Sequence, residues 1–188
     1  MKQTITSRPS KIIPTLIFFL CFFKVSCRDE QKLPGVQGVD SRKVETTGIS
    51  SFKEKIKGFP IVTLANSSGR LFTVYVAKSR SEQTQGLSGI QDNEFSDQEE
   101  MIFYYEKDQP HSFWMPDTYF DLDIFFLTQD LKILAVERSV PFHPGYESPP
   151  AIATTRNIYS RHVLELKSSD ISRSLKEGDS LILQSGTL

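Results

Sequence analysis

From residue 61 onward the chain is a succession of short segments rich in Val, Ile, Phe and Tyr, separated by clusters of Gly, Pro, Asn and Ser. That pattern limits the fold more than any other feature. Short runs of β-branched and aromatic residues between turn formers make strands. Many such strands, with little helix between them, make a sandwich or a barrel rather than a parallel α/β sheet. Ile61-Val62-Thr63-Leu64-Ala65 leads through Asn66-Ser67-Ser68-Gly69 into Leu71–Ala77, which predicts a β-hairpin. Further strands are predicted at 101–105, 111–115, 121–127, 133–140, 162–167 and 180–184. Ser79, followed three residues later by Glu82, is a capping box that predicts a helix over 80–85, stopped near Gly86. A second helix is predicted over 169–177, ended by Gly178. The expectation is a mainly β fold, a jelly-roll-like antiparallel β-sandwich with one or two short helices.

The amino-terminal part does not share this pattern. Residues 1–11 carry Lys2, Arg8 and Lys11 and no acid, and residues 12–23 are uncharged and almost wholly apolar. A positive start, an apolar run and small residues before a cut make a secretory signal. As a helix the apolar run would reach about 18 Å, short of a hydrocarbon core of about 30 Å, so a spanning anchor is the weaker reading. Val25-Ser26-Cys27 resembles the end of a bacterial lipobox, with Lys24 where an aliphatic residue is usual. Cys27 is therefore expected to be acylated. It would tether the mature chain on the extracytoplasmic side of a bacterial membrane, in the cell envelope. Cys21 leaves with the signal, and acylation accounts for the unpaired thiol that remains. Ordinary cleavage near Ser26, leaving a free thiol, is the alternative.

Removing residues 1–26 takes away four basic residues and no acid, leaving 18 basic against 23 acidic and a net charge of -5. With no block of Lys or Arg, nothing here suits nucleic acid. Residues 27–57 are polar, with one short helix conceivable at 50–57, and read as a flexible tether; residues 58–188 read as a single domain. Two cysteines exclude the usual Cys-based zinc sites, no phosphate-cradling glycine loop is present, and no cofactor is expected.

Chemistry concentrates in 111–127. On a strand Asp121 and Asp123 share one face, Asp117 and Thr118 form the turn before it, and His111 and Trp114 lie on the preceding strand. One β-hairpin would then gather three carboxylates, an imidazole and an indole. Asp117, Asp121 and Asp123 could supply oxygen ligands to a hard cation, or acid–base groups to a hydrolase. Trp114, with Tyr119 or Tyr146, could instead stack on a sugar or another small molecule while the acids take its hydroxyl hydrogens. Equally, Asp123 could accept hydrogen bonds in a tight corner and Asp117-Thr118 could only shape a turn. Glu165 is either a buried partner for an Arg such as Arg156 or a member of a cleft. The third alternative is a protein-interaction module with an exposed apolar patch. No metal site matches a known spacing, and no catalytic residue is singled out.

Several of these segments together resemble a known family. They are Val76-Ala77 with Gly86-Leu87, Met101-Ile102-Phe103, Phe113-Trp114-Met115-Pro116-Asp117-Thr118, Leu122-Asp123-Ile124-Phe125-Phe126, Val163-Leu164-Glu165-Leu166, and Gly178-Asp179. In that order they resemble the domain of unknown function 192 family, small and often exported proteins of bacteria and archaea. Ser88, Glu100, Asp117 and Ser168-Ser169 depart from its usual residues. The resemblance implies a jelly-roll-like sandwich in an extracytoplasmic setting and no particular activity.

Overall fold

The computed structural model describes residues 52–188. The expected signal, Cys27 and most of the expected tether lie outside the described residues. Among the described residues nine strands carry the fold: β1 (Ile61–Ala65), β2 (Leu71–Ala77), β3 (Glu99–Phe103), β4 (Gln109–His111), β5 (Leu122–Leu127), β6 (Ile133–Val140), β7 (Ile158–Ser160), β8 (His162–Lys167) and β9 (Ile182–Ser185). Three short helices accompany them: α1 (Phe52–Lys55), α2 (Arg80–Gln85) and α3 (Asp170–Arg173). The architecture is mainly β and sandwich-like, as expected.

Seven strands form one sheet in the order β6-β5-β8-β3-β2-β1-β9, and β4 pairs with β7 in a small second sheet. All pairs are antiparallel except β2 and β3, which run parallel. A parallel pair cannot be joined by a tight turn, so the chain must cross back over the sheet between them. α2 lies in that crossover.

The sheet curls without closing. The segment entering β9 meets the one entering β6 through a bridge between Lys132 and Ser180, with Ile133 N donating to Asp179 O at 2.8 Å and Leu181 N to Leu131 O at 3.1 Å. Side chains from both ends of the sheet therefore converge on one inner core, including Val62, Leu64, Phe72, Phe125, Ile133 and Leu164. The outer face carries Tyr75, Met101, Phe103, Ile124, Phe126 and Val163, covered by loop residues such as Leu87, Phe95, Met115 and Phe120. β5 and β8 are buried on both faces, so neither alternates between apolar and exposed polar residues, and the acids Asp123 and Glu165 that they carry are buried as well.

The structure moves several predicted elements. The strand expected at 111–115 stops at His111: residues 113–115 bond to the 153–155 segment through an isolated bridge, and the chain then turns through Pro116 and Asp117, whose φ is 51°. β4 belongs to the small sheet and β5 to the large one, so the hairpin expected across 111–127 does not form. The helix expected over 169–177 is confined to α3, although Gly178 has the left-handed backbone expected of it, with φ 91°. β3 starts at Glu99, β9 runs from Ile182 to Ser185, and the Pro-rich 141–160 segment contains β7.

Candidate functional site

One wall of a cleft is made by the β2–β3 crossover. Ser79 caps α2: Glu82 N donates to Ser79 Oγ at 3.2 Å, and Glu82 Oε2 accepts from the amides of Ser79 and Lys78 at 2.7 and 2.9 Å. These bonds satisfy amides that a helix start leaves unpaired. Gln83 Nε2 donates to Tyr104 O at 2.8 Å, fastening the helix to the end of β3. Gly86 ends the helix at φ 46°, and a Cβ there would stand 3.3 Å from the Phe103 ring. Any larger residue would be strained and would press on the cleft.

The opposite wall is the stretch 113–118. It is held by Met115 N to Ala153 O at 3.1 Å, by Thr155 N to Phe113 O at 2.8 Å, and by Phe113 N to Thr155 Oγ1 at 2.9 Å. Thr118 Oγ1 donates to Met115 O at 2.8 Å and accepts from His143 N at 3.0 Å. Phe113 packs edge-on against Phe103, ring centres 4.8 Å apart. Between the walls lies a cavity of about 290 Å³, whose lining includes Gln83, Ser88, Trp114, Thr118, Tyr146 and Glu165.

Glu165 comes from β8, flanked by Met101 of β3 and Ile124 of β5. It is 5% exposed, and no group among the described residues hydrogen-bonds its carboxyl. Burial pushes its pKa up to about 8, so it is largely protonated at neutral pH. Trp114 and Tyr146 at the rim are, by contrast, 59% and 63% exposed. Large aromatics thus face solvent beside a hollow that holds a buried acid.

Asp117 organises the rim. Its positive φ is one that Asp and Asn tolerate better than other non-glycine residues. Tyr119 OH donates to Asp117 Oδ1 at 3.0 Å, Ser88 Oγ to Oδ2 at 3.3 Å, and Gly89 N to the Asp117 carbonyl at 2.6 Å. Ser88 Oγ also lies 3.1 Å from Tyr146 OH. Lys55 Nζ, on α1, donates to Gly89 O at 3.0 Å.

The residues singled out in the sequence thus separate. Trp114, Thr118 and Glu165 line the cleft, and Asp117 supports its rim. His111 is buried outside the lining, its ring centre 4.1 Å from that of Tyr105, and burial lowers its pKa. Asp121 accepts from Phe142 N at 3.0 Å beside a separate hollow. Asp123 faces the inner core, on the side of the sheet opposite Glu165. Arg156 pairs with Glu137 at 2.5 Å, which leaves Glu165 to the cleft. The expected convergence of Asp117, Asp121 and Asp123 on a cation or hydrolase centre is not realised. Among the described residues no group of three or more His, Cys, Asp or Glu could hold a metal ion. Gln83, Phe103 and Phe113 were not legible as lining residues, because their meeting depends on the parallel crossover.

Raising the pKa of Glu165 has a sign for stability. From about pH 4.5, its ordinary value, to about pH 8, the folded state binds more protons than the unfolded one, and stability falls as pH rises. Glu165→Gln should therefore gain stability over the wild type across that window, by up to about 1.4 kcal/mol per pH unit, and level off above it. Denaturant melts at several pH values would show this; a constant difference from pH 4.5 to 8 would contradict the assignment.

A family profile described as an uncharacterized ACR, DUF192, matches residues 62–183. The chain belongs to the DUF192 family. Two solved structures resemble this DUF192 chain. One is a proposed transcription regulator from Sinorhizobium meliloti 1021, 29% identical, with a TM-score of 0.52, covering 66% of this chain and 92% of its own. The other is a protein of unknown function from Novosphingobium aromaticivorans DSM 12444, 26% identical, with a TM-score of 0.52, covering 65% of this chain and 83% of its own. Among curated proteins none matches.

Proposed function

We propose that this DUF192 protein is an exported, non-enzymatic binding domain, held at a membrane through acylated Cys27, whose cleft takes a sugar ring. The observation that carries the reading is the placement of buried Glu165 in a cleft rimmed by exposed Trp114. A pyranose has an apolar C–H face and a hydroxyl edge. An indole suits the first, and a neutral carboxyl, which both donates and accepts, suits the second. Tyr146 OH adds a polar group at the rim, while the hydroxyl of Thr118 is already taken by the protein.

Titration calorimetry with β-1,4-linked N-acetylglucosamine oligomers tests the cleft. Trp114→Ala should weaken binding at least about tenfold, as loss of an aromatic anchor does. Glu165→Gln, which keeps a donor and an acceptor, should weaken it less than Glu165→Ala. Unchanged affinity in Trp114→Ala would overturn the reading. The tether has its own test: mass spectrometry of the mature chain should find an acylated amino-terminal Cys27, and an unmodified terminus would end that part of the proposal.

A further inference from the structure

We infer that the sugar cleft is the middle of a longer groove around α2, and that its ligand is an extended oligosaccharide carrying negative charge. This rests on the sugar-binding reading and goes further, by naming the ligand's length and sign.

Three hollows adjoin one another along α2. The Glu165 cleft shares Gln83 with a hollow of about 400 Å³ lined by Lys78, Tyr104, Tyr105 and Lys107. It shares Thr84, Gln85, Ser88 and Tyr146 with a hollow of about 590 Å³ that reaches Arg80. A single ring would fill only the middle hollow. A chain of rings would follow the helix from Lys107 past Gln83 and Trp114 toward Tyr146.

The cations along this path belong to a chain with no excess of them, 23 acidic residues against 22 basic ones. Lys78, Lys107 and Arg80 are exposed and form no ion pair among the described residues. Lys78 stands over the Tyr104 ring, 5.2 Å from its centre, and lies near Glu82, whose carboxylate is turned back onto the α2 amides. Glu106 is the one other charged group in the Lys78–Lys107 hollow. Asp108 nearby is taken by Arg161 at 2.6 Å. The ends of the groove are thus cationic, around a middle whose carboxyl is held neutral.

A peptide fits these walls less well. Extended peptides bind by adding to a free strand edge; β3 and β8, which bring Phe103 and Glu165 to the groove, are paired on both sides, and β4 is three residues long with Pro110 at its centre. Three cations are also sparse for nucleic acid, whose binding rests on many phosphate contacts.

The test compares two tetrasaccharides on the full chain: neutral β-1,4-linked N-acetylglucosamine, and the same backbone with a lactyl carboxylate on alternate rings. The charged one should bind about tenfold more tightly at low salt, an advantage that shrinks at high salt. The double variant Lys78→Glu, Lys107→Glu should abolish the advantage, so that the charged ligand binds no more tightly than the neutral one. Lys78→Gln, Lys107→Gln should reduce it in part. Equal affinities in the wild type, or an advantage that survives in the charge-reversed variant, would overturn this inference and leave the cleft reading standing. Binding of neither ligand would overturn both.

Discussion

Asp123→Ala should lower the stability of the domain by about 3–5 kcal/mol, the cost of leaving a buried ion-pair partner uncompensated. Asp123 is fully buried, and its carboxylate accepts three hydrogen bonds from two elements. Arg138 Nη1, on β6, donates to Oδ2 at 2.7 Å, Ser172 Oγ of α3 donates to Oδ2 at 2.9 Å, and Ser139 N donates to Oδ1 at 2.8 Å. Arg138 also donates to Ser172 O at 2.9 Å and to Leu175 O. The pair therefore joins the β6 edge of the sheet to the α3 segment. Burial works to raise the Asp123 pKa, but the Ser139 amide, Arg138 and Ser172 together outweigh it and hold it below 3.8. Its contribution is present above that value and is lost as pH falls through the lowered one. Urea unfolding at pH 7 would measure the loss, and a change under about 1 kcal/mol would show that the network is dispensable. Asp123→Asn keeps the shape but not the charge, and should fall between the two.

The opposite sign is expected at Glu100. Glu100→Met should stabilise the domain by about 1–3 kcal/mol at acid pH, because both carboxyl oxygens are buried without a hydrogen-bond partner. The side chain enters the inner core between Val74 of β2 and Leu166 of β8, and methionine nearly conserves its volume. Burial drives the Glu100 pKa well above 4.5, so wild-type stability declines as pH rises from that value, and the variant's advantage widens with pH. Paired melts at pH 4 and pH 8 decide the matter. A variant no more stable than the wild type at either pH would mean that the carboxyl finds a partner in solution.

Much of the sheet was legible because its signals are local. Thr63 and Thr73 face each other across the turn that Asn66 closes, with Asn66 Oδ1 accepting from Ser68 N and Arg70 N at 3.1 and 2.9 Å. The Ser79–Glu82 box starts α2 where the spacing placed it. The site was less legible, because it depends on strand order. Asp121 and Asp123 alternate correctly with Leu122, yet period 2 cannot say which side of a sheet buried on both faces carries the cleft. Nor can it reveal that 113–118 leaves its strand to become a wall. Glu165 was ambiguous for the same reason: only the neighbours that β3 and β5 bring to β8 show that it lacks an arginine.

The pairing of β1 bears on how the chain reaches this state. β1 lies between β2, its neighbour in sequence, and β9, with Thr63 opposite both Thr73 and Ser185. The first pairing closes a short loop; the second must wait for nearly the whole domain to be available and closes a very long one. Until β9 arrives, β1 is an open edge and the inner core lacks the seal that Leu181 supplies. Assembly therefore waits on β9, and the sheet would remain pliable until that strand is in place.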